Sequence, residues 1–299
     1  MKFQGCIIDF EAIQNKDEKD DFKDAFVHRK FGHLTHSISI IPFTIDFKQK
    51  LTSVKESKSY SLRNGMTTPP AKNYLKNINI FTLHEERGIS IHVKDTTKTI
   101  IHHCKKFGKD GTIKHLNDKF IRENQNCHEK GITVYNKSFY DAIELMVKFI
   151  NTHGNLVISH CFENDMQNLY NTQYELSGKR PFKRNFPSFL DTGCNIKGWS
   201  DIRKICSRSL INRTPNFINE YQLFSRNNIL ITEKNNLKTN LISLTKFVKD
   251  DIHYKQDHTA TSDICDLFEV VKKMIKTDGL KIFDGKDYLQ TFRNIQSID

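Results

Sequence analysis

The chain has 299 residues, enough to bury a sizeable core as one large α/β domain with insertions or as two small domains. Lys and Arg outnumber Asp and Glu by 46 to 35, and the formal charge of +11 favours a polyanionic partner, either nucleic acid or an anionic membrane surface. No apolar run approaches the roughly 18–20 residues of a membrane span, the amino-terminal segment meets acids too soon to read as a signal peptide, and seven unevenly spaced cysteines fit reduced thiols better than a disulfide framework. These features set aside an integral membrane protein and a disulfide-stapled secreted domain, and an intracellular, cytoplasmic protein is expected.

Residues 3–10 form a short β-rich run, and His36 to Phe43 predicts a second strand ending at Pro42, so the chain is expected to open on a hairpin or meander. From about Leu51 to Lys130 the signals weaken. Thr67-Thr68-Pro69-Pro70 reads as a loop and Ile89 to Val93 as a short strand, and the stretch is expected to be an insertion. A helix begins near Asp141, with Ile143, Met146, Val147 and Ile150 at helical spacing and Gly154 placed to end it. Leu156-Val157-Ile158 follows as a strand, then Phe162, Met166 and Leu169 on one helical face. Phe189-Leu190-Asp191-Thr192 resembles a strand end, Ile202 to Leu210 a helix, and Leu241, Leu244 and Phe247 another. The most regular element is the last, where Ala260, Ile264, Leu267, Phe268, Val271, Met274 and Ile275 keep helical spacing over about four turns.

Several acids stand in telling places on these elements. Asp9 and Glu11 lie two apart at the end of an apolar strand and project from one face of it, where a bound divalent cation would relieve their repulsion; a solvated strand face is the alternative. Asp165, three after Phe162 and four before Leu169, lies against the apolar stripe of its helix. Asp263 falls about 60° from the centre line of the last helix's stripe, so it too borders the core. Burying an unpaired carboxylate is costly, so both need a partner, and a salt bridge to one of the many Lys residues competes with a metal ion. His258 stands five residues before Asp263, where the last helix begins.

Taken jointly, these residues resemble the DEDDh 3′–5′ exonucleases of the RNase H-like superfamily. Ile7-Ile8-Asp9-Phe10-Glu11-Ala12 is similar to the family's first motif, the run from His160 to Leu169 to the second, and His258 to Asp263 to the third. Leu190-Asp191-Thr192 and the helix from Leu241 to Phe247 resemble two further family features. The likeness covers the ends and the middle of the chain. It departs from the family at Cys161 and Asn164, and residues 50–125 match nothing in the core family.

The resemblance implies a single domain over residues 1–299 with a mixed β-sheet flanked by helices, of RNase H-like type, and residues 50–130 as an insertion or subdomain within it. It also implies hydrolysis of DNA or RNA from a free 3′ end to 5′-mononucleotides, with two Mg²⁺ or Mn²⁺ ions. By the same likeness, Asp9 bridges both ions, Glu11 and Asp263 serve one, Asp165 serves the other, and His258 is the general base. Hard cations prefer such oxygen ligands. Phe10, Ala12, His160 and Asn164, inside the motifs, are the implied contacts to nucleic acid. A module that binds nucleic acid and keeps the fold without catalysis is the alternative.

Lys179, Arg180, Lys183 and Arg184, interleaved with Phe182 and Phe186, form the best basic and aromatic stretch; it reads as a site for phosphates and bases or as a solvated loop. His102, His103, Cys104, His115, Cys127 and His128 gather potential ligands for structural Zn²⁺, with the spacing of no standard finger; scattered surface His and buried free Cys are the competing reading.

Overall fold

β1 (Lys2–Gln14) carries the alternation of a strand covered on both faces. Cys6, Ile8 and Phe10 enter one apolar layer and Ile7 enters the other, all of them buried. A strand of this kind belongs inside a sheet. It runs antiparallel to β2 (His33–Lys55) on one side and parallel to β6 (Leu156–Ser159) on the other. With β3 (Asn73–Glu85), β4 (Ile89–Val93), β5 (Thr133–Lys137) and β7 (Gly198–Asp201) they make a seven-stranded sheet of order β5-β4-β2-β1-β6-β7, in which β3 pairs with β2 off this path. The computed structural model describes residues 2–14, 33–55, 73–103, 108–153, 156–177, 198–207, 216–232 and 237–279.

The helices in chain order are α1 (Lys94–His103), α2 (Gly108–Lys130), α3 (Phe139–His153), α4 (Phe162–Ser177), α5 (Ile202–Ser207), α6 (Asn216–Asn227), α7 (Leu241–Lys249) and α8 (Ala260–Asp278). They cover both faces of the sheet. On one, Ile7, Ile41, Phe43, Leu156 and Ile158 pack with Ile264, Leu267, Val271 and Met274 of α8, joined by Ile202 of α5, Phe217 and Tyr221 of α6, and Leu244 of α7. On the other, Ile8, Ile38, Ile40, Ile91 and Val157 pack with Phe139, Met146 and Ile150 of α3 and Leu169 of α4. The protein is thus a mixed α/β structure, an open sheet flanked by helices. Among the described residues no helix is long and apolar enough to cross a membrane.

The second strand is longer than the expected span from His36 to Phe43, and Pro42 does not end it. Proline lacks an N–H and removes a rung from any ladder that needs one. Pro42 escapes that cost because it stands where β2 passes from one partner to the next. Its pairing with β4 ends at Ile40 and its pairing with β3 begins at Phe43, while the Pro42 carbonyl accepts a hydrogen bond from Glu86 N at 2.9 Å. Beyond Asp46, the last residue paired with β1, β2 is joined to β3 alone among the described residues, so residues 47–55 and 73–81 form a two-stranded ribbon.

The segment 50–130, expected as an insertion or subdomain, contributes β4 to the interior of the sheet and α2 to its side. Apolar periodicity does not reveal α2, because its buried residues are Thr112, Leu116, Glu123 and Cys127, half of them polar. The expected helix from Ile202 is described as far as Ser207; Thr67 to Pro70, Gly154 and the strand end at Phe189 to Thr192 lie outside the described residues.

Gly5 sits on β1 where Phe43 and β6 close in. A Cβ there would lie 2.5 Å from Phe43 Cζ and 2.9 Å from the Leu156 carbonyl oxygen. Gly5→Ala is therefore expected to lower stability by about 1–3 kcal/mol through overpacking. Thermal or urea denaturation checks it, and an unchanged midpoint would contradict the close approach.

Candidate metal centre

β1 alternates about its axis, so Asp9 and Glu11 fall on the same side as Ile7, the side covered by α8. The register of β1 against β2 shifts between Glu11 and Ala12, immediately after the second acid. α8 starts at a well-defined cap: the Thr259 side chain accepts a hydrogen bond from Ser262 N at 3.2 Å. That start places Asp263 in the first helical turn with its side chain buried. Oxygen atoms of Asp9, Glu11 and Asp263 then lie within 4.8 Å of one another, a group with the geometry to hold a metal ion. Asp165, from α4, is buried as well and lies outside that 4.8 Å group, yet its charge acts on Asp9.

The acids disturb one another strongly. Burial raises the Asp9 carboxyl well above the usual carboxylate range, and the charges of Asp263, Asp165, Glu11 and Glu123 raise it further. Asp263 is pushed up to about 8, first by burial and then by Glu11, partly offset by the Gln256 amide. Glu11 is raised by burial, against the lowering effect of Lys119. Asp263 Oδ1 is buried with no hydrogen-bond partner among the described residues. A hard divalent cation answers both the crowding of charge and the orphaned oxygen, and an all-carboxylate donor set suits Mg²⁺ or Mn²⁺.

One face of α2 holds this arrangement in place, through Lys119, Arg122, Glu123 and Asn126 at helical spacing. Lys119 Nζ lies 2.6 Å from Glu11 Oε2. The buried Glu123 carboxylate accepts from Thr261 N at 3.1 Å, Thr261 Oγ1 at 2.5 Å, Ser39 Oγ at 2.9 Å and Ser90 Oγ at 2.8 Å. It thereby ties β2 and β4 to the amino-terminal end of α8, where a negative charge is favoured by the exposed N–H groups. Asn126 Nδ2 donates to Asp257 Oδ2 at 2.7 Å and to Thr259 Oγ1 at 2.8 Å, and Arg122 pairs with Asp257 at 3.0 Å. Between these two anchored residues stands His258, exposed, with φ 54 and close enough for its charge to act on Glu11. The sequence reading missed Lys119 and Glu123, since a Lys and a Glu four apart on a polar helix read as a solvated pair.

The other expected residues are distributed differently. Phe10 belongs to the core against α3, 5% exposed, so its ring is not a surface for a base; Ala12 is half-buried beyond the register shift. His160 is half-buried with Nε2 2.8 Å from the Thr239 carbonyl oxygen, and burial lowers its pKa. Asn164 Nδ2 lies 2.5 Å from Cys161 Sγ. Lys179, Arg180, Lys183 and Arg184 lie outside the described residues. The suggested zinc ligands do not converge among the described residues: Cys127 is buried 3.1 Å from Thr261 Oγ1, His115 is half-buried, and His102 and His128 are exposed. Burial pushes the Cys127 thiol up to about 11, away from the thiolate that binds zinc. Cys104 lies outside the described residues. No protein-family model matches this sequence, and no curated protein matches it.

Carboxyls with raised pKa hold protons more tightly in the folded chain than in the unfolded one, so stability falls as pH rises between the ordinary Asp value of 3.8 and about 8. In EDTA the melting midpoint is therefore expected to drop across this interval, and saturating Mg²⁺ or Mn²⁺ should flatten the slope. Asp263→Asn should stabilise the metal-free protein at pH 8 by about 1–3 kcal/mol, because it removes a buried charge that Glu11 repels, and abolish the response to metal. A flat profile in EDTA would show that the acids do not repel one another.

Proposed function

We propose that the protein is a metal-dependent 3′–5′ exonuclease with an RNase H-like fold, hydrolysing DNA or RNA from a free 3′ end to 5′-mononucleotides. The observation that carries this reading is the convergence of Asp9 and Glu11 from a central strand with Asp263 from the first turn of α8, within 4.8 Å. Asp165 adds its charge from α4, and His258 stands at the entrance to α8 beside Glu11. Three segments far apart in sequence, bearing Asp9 and Glu11, Asp165, and His258 and Asp263, thus act on one another, which supports the pattern that the DEDDh resemblance implies.

Two Mg²⁺ or Mn²⁺ ions, when bound by these carboxylates, supply charge neutralisation at the scissile phosphate and activation of the attacking water. Asp9, on which the charges of Asp263, Asp165 and Glu11 all act, would be shared by the two ions, with Glu11 and Asp263 serving one and Asp165 the other. His258 takes the proton from the attacking water, since a ring nitrogen can accept a proton and this ring is exposed at the entrance to α8. Asp257 and Thr259, both held by Asn126, fix the backbone on either side of it. Steering of the polyanion falls to basic residues away from the acids. The β2–β3 ribbon supports this, because residues 47–55 and 73–81 contain Lys48, Lys50, Lys55 and Lys76 and no acid.

A second reading, a nucleic-acid-binding module without catalysis, has one observation in its favour. Lys119 already neutralises Glu11, and a lysine fixed among carboxylates can replace a metal ion permanently.

Incubation of the protein with 3′- and 5′-labelled DNA and RNA separates the two. Stepwise release of 5′-mononucleotides is expected with Mg²⁺ or Mn²⁺ and none with EDTA or with Asp9→Ala, whereas retention of intact oligonucleotide favours the second reading. Closed circular substrate should resist, and its rapid cutting would indicate an endonuclease instead. His258→Ala is expected to slow single-turnover hydrolysis by about 10²–10⁴ while metal binding persists. Near wild-type turnover in that variant would remove His258 from the chemistry and turn attention to His160.

A further inference from the structure

Lys119 is poorly explained as an ordinary surface partner. Exposed ion pairs join flexible side chains and contribute little, but here the Lys119 and Glu11 side chains are only 13% and 15% exposed, and the contact is 2.6 Å. The backbone beneath the lysine is also anchored. Glu123, one turn on, is bound into the start of α8, and Asn126 holds Asp257 and Thr259. The ammonium is therefore directed at an oxygen of the very acid that shares the 4.8 Å group with Asp9 and Asp263, and its charge acts on Asp263 too.

A divalent cation that uses Glu11 competes with this ammonium for the same carboxylate, and two cations side by side in a site shielded from water repel each other. We propose that Lys119 is the built-in counter-ion of the metal-free site, which keeps Glu11 in place beside Asp9 and Asp263 and gives way when a divalent cation enters. The inference rests on the reading of the three acids as metal ligands and deepens it. It explains how mutually repelling carboxylates stay together before any ion arrives, and it assigns α2 a function in the centre. Metal affinity is then an exchange affinity, set low by the lysine that must be displaced.

The test compares the whole protein with Lys119→Met, which keeps the length and removes the charge, and with Lys119→Arg, which keeps the charge. Mn²⁺ binding is read by calorimetry, and melting midpoints are read in EDTA and in saturating Mn²⁺. Lys119→Met should melt below the wild type in EDTA, match it in Mn²⁺, and bind Mn²⁺ about 5- to 150-fold more tightly, the range of coupling between linked sites. Lys119→Arg should stay near the wild type in EDTA and in Mn²⁺ affinity. Equal or weaker Mn²⁺ binding by Lys119→Met would overturn the exchange. So would Mn²⁺ binding by Lys119→Met alone, with none by the wild type, because the lysine would then be a permanent substitute. Hydrolysis of labelled oligonucleotide by the wild type is scored separately. Its absence, with the exchange intact, would sink the nuclease reading and leave the counter-ion standing.

Discussion

Three carboxylates brought within 4.8 Å of one another where water is scarce are the constraint to which the rest of this molecule answers. Withdrawing one charged carboxylate from water is costly, and each neighbour of the same sign adds to that cost. The surroundings compensate piece by piece. Lys119 faces Glu11, the Gln256 amide relieves Asp263, and burial itself favours the protonated forms. Compensation is left incomplete at Asp263 Oδ1, and a position of that kind is where a cation gains most by binding.

Holding the acids together requires rigid supports from several parts of the chain. β1 is pinned between β2 and β6, with side chains filling both faces, so Asp9 and Glu11 have little freedom to move apart. α8 is held by its apolar stripe and, at its start, by Glu123. That carboxylate is more deeply buried than those of the centre, but Thr261 N, two side-chain hydroxyls of the strands and Thr261 Oγ1 all donate to it. The contrast separates two uses of a buried acid. Glu123 is saturated with donors and acts as a structural tie, whereas the acids of the centre face one another.

Much of this was legible in the sequence, and the reason lies in the elements concerned. β1 and α8 have strong periodicities, Asp9, Glu11 and Asp263 sit at fixed phases of them, and phase decides which side an acid faces. Phase also places Phe10 on the face opposite Asp9, a consequence that the family likeness obscured when it suggested a contact with nucleic acid. α2 was not legible, because its contribution comes through polar side chains whose partners are remote: Lys119 looks towards residue 11, and Glu123 towards residue 261. Local patterns carry no trace of such pairings. β2 exceeded its expected length for a related reason, since the cost of Pro42 depends on which strand lies alongside it, and the switch from β4 to β3 is a property of the sheet rather than of the segment.

The tie between Glu123 and Thr261 spans 138 residues, and Asp263 follows Asp9 by about 250. Contacts so distant in sequence are slow to form and come late. At synthesis rates of about 5–20 residues per second, Asp9 and Glu11 leave the ribosome some 10 to 50 seconds before Asp263 exists. During that interval β1 holds two of the acids with neither the third acid nor the α8 entrance that bears His258. The constellation cannot operate on a growing chain, and whatever chemistry it performs begins only when α8 has docked.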